Sequence, residues 1–300
     1  MARGGARTAN AARVLLALGA FALVPGVAAQ TIAQAAPAQA AQKPPHPQPL
    51  PEPLVYLRDI DPSILQDMRY AGSNNFTGRR VAGYGAGECV LLREAAEALA
   101  RVQQSLKSRN LSLKVYDCYR PRRAVRAFVT WVTRAPVADD PLLKRFHPKT
   151  ERSELIKLGY IAAVSRHSLG DTVDLTLVEL PEKAAPPFKR DVVYGACTGP
   201  AKQRAPDTSV DMGTSFDCFD TLSHTKAAEI TPTQRRWRQT LVTAMAGHGF
   251  RNYAREWWHF TLRHAGPRRA FSVPIVPRAP SHRALPTSPQ APTARGEGGG

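Results

Sequence analysis

The stretch from residue 165 to residue 174 reads Ser-Arg-His-Ser-Leu-Gly-Asp-Thr-Val-Asp, and the rest of the chain can be organised around it. It places a histidine, His167, and a carboxylate, Asp174, on either side of Gly170. Residues 172–178 are apolar and rich in β-branched side chains, which is typical of a strand. Because His167 and Asp174 lie an odd number of positions apart, they would face opposite ways on one straight strand. We therefore expect His167 on a turn and Asp174 on the strand, where the two side chains can converge.

A second motif, Glu256-Trp257-Trp258-His259, follows much later in the chain. With His167 and Asp174, His259 would give two imidazoles and one carboxylate, which leaves the fourth position of a tetrahedral zinc ion open to water, as in catalytic sites. Glu256 is then the natural base for that water. Both Glu256 and His259 can face one ion only if the chain bends or bulges just before His259.

The alternative for each histidine is a hydrogen-bonded core residue beside an apolar strand. Two motifs that each combine an acid with a histidine favour a metal site, but spacing alone leaves both interpretations open.

The pattern Ser-x-His-x-x-Gly-x-x-x-Asp, followed by Glu-x-x-His, resembles the zinc D,D-peptidases. That superfamily includes D-alanyl-D-alanine dipeptidases, D,D-carboxypeptidases and the hedgehog signalling domain. Residues 70–78, 116–124 and 211–224 are similar to signatures of the dipeptidase branch and follow in the expected order. The likeness covers residues 54–262 and implies an α+β fold, with a small antiparallel sheet flanked by helices.

The resemblance also implies a role for individual residues. One Zn²⁺ per chain would be held by His167, Asp174 and His259, and Glu256 would be the general base. Arg120 would stabilise the oxyanion beside the zinc. Substrate would be bound through its ammonium group by Asp217, with help from Tyr70 and Ser165.

Two of these roles have alternatives on the residues alone. Arg120 stands where a predicted strand meets a predicted helix and could instead pair with Asp117 on the surface. Asp217 could be a turn or capping residue.

Taken together, the resemblance implies a zinc dipeptidase that cleaves the small dipeptide D-alanyl-D-alanine into two D-alanines. Nothing in the residues themselves indicates D-stereochemistry. One alternative is a D,D-carboxypeptidase or endopeptidase acting on longer peptidoglycan peptides. The other is a non-catalytic zinc-dependent binding module, against which Glu256 argues because a binder needs no base. The sequence does not predict an oligomeric state.

Both ends of the chain differ in composition from its middle. Residues 1–29 combine early arginines, a short apolar run and small residues at a cleavage position, which predicts a secretory signal, export to the periplasm and no stable membrane insertion after cleavage. An uncleaved membrane anchor is the alternative. Residues 30–53 predict a linker rich in Ala, Gln and Pro, and residues 266–300 a disordered tail. The catalytic domain is therefore expected over residues 54–265.

The formal net charge of the 300-residue chain is +17. A basic chain can have nucleic acid or an anionic surface as its neighbour. Here the arginines are scattered and no basic motif interleaved with aromatic residues occurs, so a generally basic surface is favoured and no nucleic acid partner is expected.

Hydrophobic spacing and turn residues predict the elements around the site. The predicted helices are residues 88–108, a helix opened by Pro121, a short helix at 150–158, and a helix from the Thr231-Pro232-Thr233-Gln234 capping box to about residue 246. The predicted strands are residues 111–119, 172–178, 250–253 and 257–262.

Four cysteines, Cys89, Cys118, Cys197 and Cys218, allow three pairings that sequence cannot settle. In an exported chain, disulfides are the expected state. We favour Cys89 with Cys118, because the predicted helix 88–108 directly precedes the strand 111–119. Cys197 and Cys218 would then tie the long Pro-rich segment 181–211 to the residue that follows Asp217.

Overall fold

A computed structural model describes residues 50–134, 141–263 and 269–279. The predicted signal at residues 1–29 and most of the predicted linker lie outside the described residues. Within the described ranges, no helix is both long enough and apolar enough to cross a membrane.

The described chain alternates short strands with helices. The helices are α1 Leu57–Ile60, α2 Arg93–Lys107, α3 Arg122–Thr133, α4 Pro141–Lys144 and α5 Pro232–Gly247. The strands are β1 Leu54–Tyr56, β2 Leu65–Gln66, β3 Val90–Leu92, β4 Leu111–Asp117, β5 Thr172–Glu179, β6 Phe250–Asn252 and β7 His259–Leu262.

The main sheet has the strand order β2-β4-β5-β7-β6. Only the edge pair β2–β4 is parallel among these pairings, and β4–β5, β5–β7 and β6–β7 are antiparallel. Strands β1 and β3 form a separate antiparallel pair. Helix α2 packs against β4 and α5, and α5 also contacts β5 and β6. The predicted α+β fold, a small and mainly antiparallel sheet flanked by helices, is confirmed.

Helix α2 buries the stripe predicted from its spacing, which includes Ala95, Leu99, Val102 and Leu106. It begins at Arg93, later than predicted, because the apolar residues before it form β3 and pair with β1. A short run of buried apolar residues is compatible with a helix or a strand, and here pairing with β1 makes it a strand.

Two other predicted elements have different outcomes. The capping box is confirmed, because the Thr231 side chain accepts from the Gln234 backbone and the Gln234 side chain accepts from the Thr231 backbone. The helix predicted at residues 150–158 is wrong apart from a single 3₁₀ turn, Arg152–Glu154. Leu155 is fully buried there, while Ile156 and Leu158 are exposed, so the stretch has no apolar face to support a helix.

The favoured cysteine pairing is confirmed. Disulfides join Cys89 to Cys118 and Cys197 to Cys218, and the described residues contain no free cysteine.

The predicted disordered tail is wrong for residues 269–279, which pack on the domain. Ile275 is fully buried, and its backbone accepts from Gly85 and donates to Gly83, both at 2.8 Å. This places Ile275 beside Tyr84, which is also buried. The proline-rich composition of this region led to the prediction of disorder, but it contains a short apolar segment that packs on the domain. The domain therefore extends past residue 265.

Replacing Ile275 with alanine should lower the free energy of unfolding by about 2–4 kcal/mol, because it leaves a cavity in a closed part of the core. Urea unfolding of the purified protein would measure this change. Ser272→Ala is the matched control, since Ser272 is an exposed residue of the same segment. Equal unfolding midpoints for the two variants would contradict the packing of this segment.

Candidate metal centre and active site

The predicted metal ligands meet at one point. His167 Nε2 lies 3.3 Å from Asp174 Oδ1 and 3.2 Å from His259 Nδ1, and His259 Nδ1 lies 3.0 Å from Asp174 Oδ1. Ligand atoms at about 2.0–2.1 Å from a tetrahedral zinc are about 3.3 Å apart, so this spacing suits the ion.

The fold produces this convergence as expected. His167 lies in the 3₁₀ turn Arg166–Leu169, which ends at Gly170 with φ 77°. A Cβ on that glycine would also lie 3.0 Å from Leu54 Cδ2. Asp174 and His259 are paired across β5 and β7. The predicted bend before β7 is present as a turn, in which the Glu256 backbone donates to Tyr253.

The donor set fits a zinc ion chemically as well as geometrically. His167 Nδ1 lies 2.8 Å from the Cys118 carbonyl, so it carries the proton and leaves the Nε2 lone pair for a metal. Burial would raise the pKa of Asp174, but His167 and His259 outweigh it and hold that pKa well below its usual range. Two imidazoles and one ionised carboxylate form the type of shell that leaves zinc an open position.

Glu256 lies beside the ligands rather than among them. Its Oε2 is 3.6 Å from His259 Nδ1. Burial is the main cause that raises the pKa of Glu256 to about 7; the charge of His259 opposes it and that of Asp174 adds to it. A carboxyl group with a pKa near neutrality can both accept a proton and return it.

Arg120 pairs with Asp117, but inside the cleft and not on the surface. Its Nε and Nη2 lie 2.9 and 2.8 Å from Asp117 Oδ2, and Nη2 lies 3.6 Å from Asp174 Oδ2. The Arg120 side chain is only 14% exposed. Its guanidinium also lies over the rings of Tyr70 and Phe128, at 5.2 and 5.0 Å from their centroids. The surface-pair alternative is therefore wrong, although its partner was correctly named.

Asp217 is a buried carboxylate, and the Tyr70 hydroxyl donates to its Oδ2 at 2.8 Å. In the described part of the chain, no lysine, arginine or histidine nitrogen forms an ion pair with it. Burial and the nearby Asp174 charge raise the pKa of Asp217 well above its usual value. Asp217 also has φ 58°, a left-handed conformation that costs a non-glycine residue energy and recurs at functional sites.

All of the sequence-predicted site residues line one cleft of about 260 Å³. These are Tyr70, Arg120, Ser165, His167, Asp174, Asp217, Glu256 and His259. Ser165 lies on its wall, next to the metal turn.

Asp117 and Tyr84 lie beside the site residues, although no role in the site was predicted for them from the sequence. Asp117 is fully buried, accepts from Arg120 and lies 3.5 Å from His167 Nδ1. The Tyr84 hydroxyl donates to its other oxygen at 2.6 Å. The available signal was the position of Asp117 at the end of a strand, three residues before Arg120.

Fold and site together define a metallopeptidase, and comparison with known proteins gives its family. A family profile described as D-ala-D-ala dipeptidase, the M15 peptidases, matches residues 52–184 and 203–277. D-alanyl-D-alanine dipeptidases from Enterococcus faecium and Streptomyces coelicolor are 33% and 34% identical over 222 residues. These alignments cover 73% and 74% of this chain, and 96% and 97% of the relatives. A third relative of that name, from Escherichia coli, is 29% identical over 71% of this chain and 86% of its own length.

The chain belongs to the D-ala-D-ala dipeptidase family of zinc metallopeptidases. The gap in the profile match, residues 185–202, falls in the long segment noted in the sequence and contains Cys197.

His259→Ala should lose both bound zinc and activity, because it removes a ligand from the shell.

Glu256→Gln should keep stoichiometric zinc and lose at least ~100-fold in turnover, the usual scale for loss of a general base.

Elemental analysis of the purified variants, beside turnover, separates the two roles. Full zinc in His259→Ala would remove it from the ligand set, and loss of zinc in Glu256→Gln would make Glu256 a ligand.

Proposed function

We propose that this protein is a zinc dipeptidase that hydrolyses D-alanyl-D-alanine to two D-alanines. The observation that carries the proposal is the Asp217 carboxylate, which has no ion-pair partner among the described residues and is held by Tyr70 in the same cleft as the metal ligands. The names of the relatives support the substrate, including its stereochemistry.

A dipeptide differs from a longer peptide by a free ammonium close to the bond that is cut. Asp217 offers that ammonium a buried carboxyl group, whose ionised form the positive charge of the ammonium would stabilise. The Tyr70 hydroxyl orients the acceptor oxygens, and Ser165 on the cleft wall supplies a further polar group. A longer wall peptide carries an amide at this point, which would leave the carboxylate buried without a partner.

The metal site is formed by His167, Asp174 and His259. When bound there, zinc would polarise the peptide carbonyl and lower the pKa of a water molecule. The Cys118 carbonyl keeps the His167 ring in the tautomer that this requires.

Glu256 carries the proton through the reaction. Its carboxylate accepts a proton from the attacking water and then gives it to the departing amine. The raised pKa of Glu256, about 7, suits both transfers because neither protonation state is strongly disfavoured.

Arg120 provides positive charge where the carbonyl oxygen becomes an anion. Asp117 fixes the guanidinium through two nitrogens, and the aromatic faces of Tyr70 and Phe128 limit its movement. A hydrogen-bond donor that is already in position needs no reorganisation as negative charge develops on the carbonyl oxygen.

We also propose that the protein is exported to the periplasm by the signal predicted at residues 1–29. The disulfides Cys89–Cys118 and Cys197–Cys218 support this, because such bonds persist in oxidising compartments.

The wild-type protein should cleave D-alanyl-D-alanine and act only weakly on its N-acetyl form. Asp217→Asn should narrow this preference by reducing cleavage of the free dipeptide, because the amide cannot neutralise an ammonium. The ratio of kcat/KM for the two substrates is the measurement. Equal values in the wild type would favour the carboxypeptidase alternative.

Arg120→Ala should reduce kcat much more than it changes KM, because the guanidinium is needed most when the oxyanion forms. Steady-state kinetics on D-alanyl-D-alanine would test this, with zinc content as the check on the shell. A defect confined to KM would make Arg120 a substrate-binding residue only.

A further inference from the structure

Two buried hydroxyl groups, of Ser223 and Thr214, lie outside the lining of the cleft and join the segment that carries Asp217 to the turn that carries Glu256. The Ser223 hydroxyl donates to the carbonyl of Cys218 at 2.7 Å. It is also 3.2 Å from the Thr214 hydroxyl, which accepts from Trp257 Nε1 at 2.8 Å.

Ser223 also contacts this turn through its backbone. Its carbonyl accepts from the Trp257 backbone at 3.0 Å, while its own backbone donates to Asp220 at 2.9 Å. Ser223 is fully buried and Thr214 is 3% exposed, so water does not compete for these bonds. One serine thus bonds directly to the residue after Asp217 and to the residue after Glu256.

The backbone conformation of Asp217 indicates why the hydrogen bonds of Ser223 matter. Asp217 holds a left-handed φ of 58°, which a non-glycine residue keeps only when its surroundings fix it. The bond from the Ser223 hydroxyl to the Cys218 carbonyl fixes the peptide unit between Cys218 and Phe219, one residue after Asp217. The same network is joined to the Glu256 turn through Trp257, so it ties the backbone beside Asp217 to the backbone beside the base.

We infer that Ser223 is a positioning residue, which holds Asp217 in place for the substrate ammonium and so sets the preference for a free amino terminus. The inference rests on the proposed function. It adds a residue that lies outside the cleft and does not touch substrate.

Ser223→Ala should lower kcat/KM for D-alanyl-D-alanine by about 10–100-fold, the scale expected when a binding group is slightly misplaced. Cleavage of the N-acetyl dipeptide should change little, because that substrate has no ammonium for Asp217. The preference for the free dipeptide therefore narrows, while zinc content stays stoichiometric. Ser223→Thr keeps the hydroxyl and should restore the preference.

Ser112→Ala is the matched control. Ser112 is another buried serine with a side-chain hydrogen bond, to Gln103, and it does not line the cleft. This variant should keep the wild-type preference. If Ser223→Ala does not fold, Thr214→Val breaks the same chain of hydroxyls and should narrow the preference in the same assay.

A double mutant tests whether Ser223 acts through Asp217. In an Asp217→Asn background, Ser223→Ala should cause no further loss on the free dipeptide, because residues that act as a unit are not additive. Additive losses would overturn the inference. An equal fall in kcat/KM for both substrates in the Ser223→Ala variant would also overturn it. A wild type that cleaves neither substrate would instead overturn the proposed function.

Discussion

The cleft depends on how buried negative charge is compensated. Asp117, Asp174 and Asp217 are buried and Glu256 is largely buried near them, and the largely buried guanidinium of Arg120 pairs with Asp117 and lies near Asp174. Burial raises the pKa of Asp117, Asp217 and Glu256, as expected where ionisation is poorly compensated. A divalent ion at the histidines and an ammonium at Asp217 would balance the remaining carboxylates. The same imbalance therefore favours both the metal and a substrate with a free amino terminus.

The sheet supplies the rigidity that such a cluster requires. Asp174 and His259 face each other on adjacent strands, so their separation is fixed by backbone hydrogen bonding. His167 and Glu256 come from turns that bring side chains to the same point from outside the strands. The paired strands thus position the ligands Asp174 and His259, and the two turns position the third ligand, His167, and the base, Glu256.

The turn and strand that carry His167 and Asp174 could be predicted because that motif is local in sequence, whereas the roles of Arg120 and Asp217 came from the family resemblance. The spacing of His167, Gly170 and Asp174 dictates a turn followed by a strand, and the structure has both. The burial of Ile275 could not be predicted, because it depends on Tyr84, far away in the chain. The late start of the predicted helix 88–108 has the same cause, since pairing with β1 makes residues 90–92 a strand. The strained backbone of Asp217 also left no trace in composition or periodicity.

Each of the two disulfides has one cysteine next to a residue of the site. The Cys118 carbonyl orients His167, and Cys218 directly follows Asp217. In a reducing compartment these cysteines remain thiols, and the Asp217 segment has no covalent tie to residues 185–202. Formation of the Cys197–Cys218 disulfide adds that covalent tie, and the Cys89–Cys118 disulfide adds another at the residue whose carbonyl orients His167.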